Sequence, residues 1–165
     1  MPDPAGSVSA PTFEVARRLE QDGQGLSRVF VSGRRAPSRP GPDERVHLRD
    51  DGGIVAEMRE PSGTDPSVFA SEEILRMVLP ALRSDCRAAE TYRTEPGAAL
   101  ASPITALTGD ADPRTSIDGA RAWRELTSGD FRLEVFPGGR FHLTDRDADV
   151  MNFLADHLNG SSAAA

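Results

Sequence analysis

Two short loops in this sequence carry side chains that could act together in catalysis. The first is the acidic turn at residues 109–113, in which Asp110 and Asp112 supply two carboxylates. The second is a glycine-framed segment that ends with Arg140 and His142. An aspartate can hold a histidine in one tautomer and stabilise its charged form, as in a Ser–His–Asp triad. Aspartates beside glycine and proline are also common turn formers, so the residues alone leave both interpretations open.

The elements that precede these loops must bring them together. Residues 104–108 are an apolar run typical of a buried strand, and residues 131–136 alternate between apolar and polar side chains. The spacing of Ile117, Ala120 and Trp123 predicts an amphipathic helix between them. A strand, a crossover helix and a second strand form a parallel unit, in which both loops leave the carboxyl ends of the strands. Open α/β sheets bind their ligands at that edge.

The remaining pattern predicts the carboxyl half of a doubly wound α/β sheet. Phe13 and its apolar neighbours indicate a helix, and the unbroken apolar run at residues 29–31 indicates a strand covered on both faces. The predicted order is helix, strand, insertion, strand, helix, strand, helix. We expect one domain over residues 12–158, with disordered tails at residues 1–11 and 159–165.

The insertion between the first two strands covers about residues 33–93. It begins with a proline- and arginine-rich loop at residues 34–42, in which no regular structure is expected. Ser71 is predicted to cap a helix that Pro80 kinks or divides. This helix carries one apolar stripe, made of Ile74, Leu75, Val78, Leu79 and Leu82. His47 is interpreted as a solvated loop residue.

Composition excludes several classes of protein. The net charge of −7 argues against a nucleic-acid partner, and all 19 basic residues are arginine. The single cysteine, Cys86, cannot form an internal disulfide, so nothing indicates an oxidising compartment. No apolar run has the length of a membrane span, and residues 1–12 lack the features of a signal peptide. A cytoplasmic protein without metal or cofactor is the expectation.

Several segments in series resemble the type II thioesterases, which are α/β-hydrolases that remove stalled acyl groups from carrier proteins of polyketide and nonribosomal peptide assembly lines. The two loops and the Trp123 helix carry the resemblance, together with residues 13–20, 29–38 and 79–85. It covers about residues 13–158. The resemblance implies a partial α/β-hydrolase fold with three parallel strands, flanking helices and a helical lid insertion, in which the amino-terminal half of the sheet is missing.

The same resemblance assigns roles to three residues. Asp112 takes the place of the triad acid, and Arg140 stands where the family has its catalytic histidine. A guanidinium does not deprotonate in a protein, so Arg140 cannot act as a general base, although it can form an ion pair with Asp112. His142 could replace the histidine only if its loop turned it toward Asp112.

The family's nucleophile elbow, G-x-S-x-G, aligns with Gly6 and is not present there. Ser7 and Ser9 lie nearby, but neither is in a glycine-framed turn. We therefore expect a chain that resembles an editing thioesterase but lacks triad hydrolysis.

Two alternatives to an enzyme remain open. One is a non-catalytic module that binds an acyl carrier or peptidyl carrier protein through its phosphopantetheine arm, with Arg34, Arg35 and Arg39 as positive contacts. The other is the non-functional product of a truncated gene. An open apolar sheet edge at the Val29 strand further predicts self-association.

Overall fold

A computed structural model of the protein describes the backbone of residues 4–39, 45–59, 71–139 and 142–160. Three parallel strands form one sheet in the order β1–β2–β3. They are β1 (Val29–Ser32), β2 (Ile104–Gly109) and β3 (Phe131–Phe136). The described helices are α1 (Pro4–Gln21), α2 (Asp51–Arg59), α3 (Glu72–Thr91), α4 (Ile117–Arg121), α5 (His142–Asp145) and α6 (Asp147–Gly160), with 3₁₀ segments at Val46–Leu48 and Ala122–Leu126. The predicted order of elements and the predicted α/β class are confirmed.

The sheet is built around β2, in which every residue is buried. This agrees with its unbroken apolar and threonine sequence, because a central parallel strand is covered on both faces. One face packs against α1 and Trp123, and the other packs against α6 through Leu107, Phe136 and Val150. β3 lies at one side of the described sheet and is less buried than β2, since Arg132 and Val135 are exposed and Phe136 alone in this strand is buried.

Trp123 is the largest fully buried side chain. Its ring lies 6.1 Å from that of Phe13, centroid to centroid, and its indole N–H donates to the backbone carbonyl of Arg34 at 2.9 Å. Three separate parts of the chain therefore meet at this residue: α1, the loop after β1 and the 3₁₀ segment before β3. Burial of such a ring contributes about 3–5 kcal/mol, judged by the usual cost of its truncation.

Two helices extend farther than the sequence predicts. α1 begins at Pro4, within the segment that was expected to be disordered, because proline is well accommodated at the first helical position. Pro80 was predicted to kink or divide this helix, and α3 runs through it as one helix, so the division is wrong. Each internal proline, Pro80 here and Pro11 in α1, removes one N–H from the helical pattern. The N-cap was predicted correctly, since Ser71 accepts from the N–H of Ile74 at 3.4 Å.

The insertion forms a lid, a name used here for α2, α3 and the 3₁₀ segment Val46–Leu48. Polar contacts join its parts. The Glu90 carboxylate of α3 accepts from the N–H groups of Val46 at 3.0 Å and His47 at 3.3 Å, and it also contacts the His47 ring. Arg83, two helical turns earlier, donates to the carbonyl of His47 at 2.7 Å. The His47 side chain is only 16% exposed and contacts Glu90, so its interpretation as a solvated loop residue is wrong.

Candidate active-site loops

The loops after β2 and β3 lie side by side and are joined through their backbones. The N–H of Asp110 donates to the carbonyl of Phe136, and the N–H of Ala111 donates to the carbonyl of Gly138, both at 2.9 Å. In return, the N–H of Gly138 donates to the Asp110 carboxylate at 2.9 Å. The Asp110 side chain therefore joins the two turns, which agrees with a turn-forming role.

Gly109 allows this close approach. A Cβ atom at this position would overlap the backbone carbonyl oxygens of Gly138 and Gly139. Gly138 has a φ of 126°, a conformation that L-residues with side chains rarely adopt. Glycine is consequently required on both sides of the junction, for lack of space at Gly109 and for backbone conformation at Gly138.

Asp112 sits in the first turn with one oxygen bound and one oxygen available. Its Oδ1 accepts from the N–H groups of Arg114 at 2.8 Å and Thr115 at 3.1 Å, which fixes the carboxylate on its own turn. Its Oδ2 is buried and has no hydrogen-bond partner within the part of the chain that the structure describes. A buried carboxylate oxygen is costly to leave unpaired, so this geometry suits the acceptance of a proton-bearing group.

The structure brings Asp112 to the junction of the two loops, but it does not test the other predicted site residues. Arg140 lies outside the described residues. His142 is the first residue of α5, and only its backbone is described. Ser7 and Ser9 have helical backbone within α1, which is not the strand-to-helix turn that exposes a nucleophile. The roles of Arg140 and His142 remain predictions.

Two residues near the site were missed by sequence reasoning. The Arg114 guanidinium contacts the carboxylate of Glu57, which lies in α2 of the lid. A second arginine, Arg49, reaches the other oxygen of Glu57 at 2.8 Å. The sequence gives one indication that Arg114 belongs to the site, which is its position directly after the acidic turn. Its partner is 57 positions away and belongs to no recognisable motif.

Other groups near the lid show perturbed titration without forming a reactive centre. Burial raises the pKa of the Cys86 thiol, which disfavours the reactive thiolate. Burial and a hydrogen bond to Glu14 likewise raise the pKa of Tyr92. Within the described ranges, no three His, Cys, Asp or Glu side chains cluster in a way that could hold a metal ion. The same part of the chain contains no helix long and apolar enough to cross a membrane.

The known proteins with similar sequences include biosynthetic thioesterases. Residues 10–158 match the family described as the thioesterase domain. The chain is 51% identical over 156 residues to a probable cadicidin biosynthesis thioesterase of Streptomyces griseus, covering 94% of this chain and 43% of that protein. It is 48% identical over 147 residues to the thioesterase PikA5 of Streptomyces venezuelae, covering 88% of this chain and 52% of that protein. The chain thus spans about half the length of the curated relatives it matches.

A solved structure agrees with these relatives. The type II thioesterase BorB from the borrelidin biosynthetic cluster superposes with a TM-score of 0.79 at 48% identity, covering 93% of this chain and 62% of BorB. The parallel sheet with flanking helices, together with this structural match, places the fold in the α/β-hydrolase class. Because the family match includes most of its residues, the chain belongs to the thioesterase family.

Proposed function

We propose that this chain binds acyl groups carried as thioesters on the phosphopantetheine arm of an acyl or peptidyl carrier protein, and that this polypeptide does not hydrolyse them. Membership of the thioesterase family supports the ligand class. The lid and the acid-bearing loop are both present, and the family resemblance implies that these two parts lie next to such a ligand.

One observation carries the proposal: the Asp112 carboxylate is positioned to bind a histidine, but the sequence has an arginine at the position of the family's histidine. Its Oδ2 is buried and is not hydrogen-bonded by any described residue, while its Oδ1 is held by two backbone N–H groups. A triad needs a histidine that takes a proton from the nucleophile and is stabilised by this oxygen. The residue that follows Gly138 and Gly139 is Arg140. An arginine can neutralise the carboxylate, but it cannot accept the proton.

The basic loop after β1 supports a role in carrier-protein binding to a limited extent. Arg34 and Arg35 are only partly exposed. Arg39 is more exposed, at 57% of its side chain, and it is paired with Glu125. We propose Arg39 as the main electrostatic contact of this loop, because an exposed ion pair of this kind is readily exchanged for an acidic partner.

The experiment combines hydrolysis and binding on the purified chain. Release of free thiol from an acylated pantetheine is expected to equal the rate without protein. Arg140→His should not raise it, because a general base without a nucleophile cannot complete the reaction. Calorimetric titration with an acylated carrier protein should show saturable binding, weakened about fivefold by Arg39→Glu.

A matched control and two contrary results make the test decisive. Arg146→Glu reverses a similarly exposed and paired arginine on a different face, and it should leave binding unchanged. Rapid thiol release by the parent chain, abolished by Asp112→Ala, would overturn the absence of hydrolysis. A lack of saturable binding to the acylated carrier would overturn the proposed ligand.

We also propose that β1 mediates self-association. Among the described residues β1 has a strand neighbour only on the side of β2, and its Val29 and Val31 are apolar and inward-facing. A strand with one free side can pair with another chain. Sedimentation velocity over a range of concentrations should show a dimer or larger species. A monomer throughout that range would contradict this assignment.

A further inference from the structure

Glu57 occupies an unusual place for a carboxylate on a lid helix. Its side chain is only 10% exposed, and arginines lie on both of its oxygens: Arg49 from the short link between the 3₁₀ segment and α2, and Arg114 from the loop after β2. A charged group this deeply buried is stable only when it is paired. The Arg114 side chain is itself only 27% exposed, so the contact is shielded from water more than an ordinary surface ion pair.

The backbone of Arg114 connects this ion pair to the Asp112 carboxylate. Its N–H donates to Asp112 Oδ1 at 2.8 Å, next to the similar bond from Thr115. Whatever fixes the side chain of Arg114 therefore also restricts the peptide group that holds the carboxylate. Glu57 and Asp112 are thus connected through a single residue, which binds one with its guanidinium and the other with its amide.

The other end of this connection is anchored in the lid. α2 packs against α3 and the 3₁₀ segment Val46–Leu48, and Ile54 of α2 is fully buried. Arg83 of α3 binds Asp51, in the first turn of α2, at 2.7 Å. A displacement of α3 would therefore move α2, and Glu57 would move with it.

We propose that Glu57 is a positioning residue, which acts through Arg114 to couple the location of the lid to the placement of the Asp112 carboxylate. When the lid is seated, as in this structure, Glu57 holds Arg114 and the turn presents Asp112 with Oδ2 available. When the lid moves away, Arg114 is released and the bonds to Oδ1 weaken. The function of this coupling rests on the proposed role of Asp112, but the coupling itself can be measured without any ligand.

Amide hydrogen exchange, followed residue by residue by NMR on the full chain, tests the coupling. The Thr115 amide reports directly on Asp112 Oδ1. Glu57→Gln removes the charge but keeps the shape, and it should lower the protection of Thr115 about tenfold, the usual effect of weakening one hydrogen bond. Arg49→Ala removes the other partner of Glu57 and serves as the matched control, with Thr115 unchanged.

Rescue distinguishes positioning from general support of the fold. The reciprocal exchange of Glu57→Arg with both Arg114→Glu and Arg49→Glu keeps an opposite charge on each side of position 57, and it should restore most of the protection of Thr115. The coupling is refuted if Glu57→Gln changes only the amides of α2, or if the reciprocal variant restores nothing. If Glu57→Gln lowers protection throughout the sheet, the reciprocal variant decides the question, and its failure to restore the protection of Thr115 refutes the coupling. Because no carrier protein or thioester is present, these results are independent of whether the chain binds or hydrolyses one.

Discussion

The sheet and the lid of this protein are stabilised by different kinds of contact. Beneath the sheet, aromatic and aliphatic side chains of α1, the strands and the Ala122–Leu126 segment form one continuous buried cluster. In the lid, α3 is 20 residues long, yet none of its residues is buried, and Met77 is 73% exposed. Its described hydrogen bonds to the rest of the lid come from two charged residues, Arg83 and Glu90.

The difference indicates which region can move. Apolar burial over a large area is lost only when a region unfolds cooperatively, whereas a few polar links can open locally at much lower cost. We therefore expect the sheet to set the global stability of the chain and the lid to open separately. Ligand-binding elements are commonly drawn from such less stable parts of a protein.

The largest expected effect is in the sheet. Trp123→Ala should lower the free energy of unfolding by about 3–5 kcal/mol, because it empties a fully buried site and removes the bond to Arg34. Met77→Ala in the lid is the control, and it should change this free energy by less than about 0.5 kcal/mol. Urea denaturation measures the free energy of unfolding of both variants. It is followed by the circular dichroism of the backbone, because Trp123→Ala removes the tryptophan fluorescence. Similar losses in the two variants would remove the distinction between the regions.

A smaller and more local effect is expected from Glu90→Gln. This change weakens the bonds to Val46 and His47, and it should lower the free energy of local lid opening by about 1–2 kcal/mol. Limited proteolysis should then cut residues 45–59 faster, while the denaturation midpoint of the whole chain changes little. Glu73→Gln, on the exposed face of α3, provides the control. A large loss of global stability would show that the lid and the sheet unfold together.

The smallest effect at neutral pH concerns the attachment of α1. Burial favours the neutral form of Glu20, but hydrogen bonds from the Ser102 hydroxyl and the N–H groups of Ala101 and Ser102 outweigh it and lower the pKa below its ordinary value of 4.5. The carboxylate therefore stabilises the folded chain above that value. The contribution is lost as the pH falls through the lower folded-state pKa.

Urea denaturation at a series of acidic pH values checks this dependence. Glu20→Gln should flatten the decline of stability below pH 4.5, because the residue no longer takes up a proton on unfolding. Asp22→Asn, an exposed neighbour just after α1, is the comparison variant. Parallel pH profiles for the parent and Glu20→Gln would show that the bonds to Ala101 and Ser102 do not favour the ionised form.

The sequence predicted the parts of this fold that depend on local pattern. Buried runs and alternation identified β2 and β3, and Ser71 marked the start of α3, because strand burial and capping act over a few neighbouring residues. The acidic turn was located for the same reason. The pairs His47–Glu90 and Glu57–Arg114 could not be predicted, since their partners lie 43 and 57 positions apart and meet only once the lid has folded.

The absence of a side chain at Gly109 has a consequence for how this protein can change. The facing turns are held by main-chain groups and by Asp110, and the carboxylate of Asp112 is held by amides of its own turn. None of these contacts involves the residue at position 140. An exchange of the side chain at position 140 therefore leaves these contacts in place, so the acid-bearing turn can persist while the residue that follows Gly139 changes.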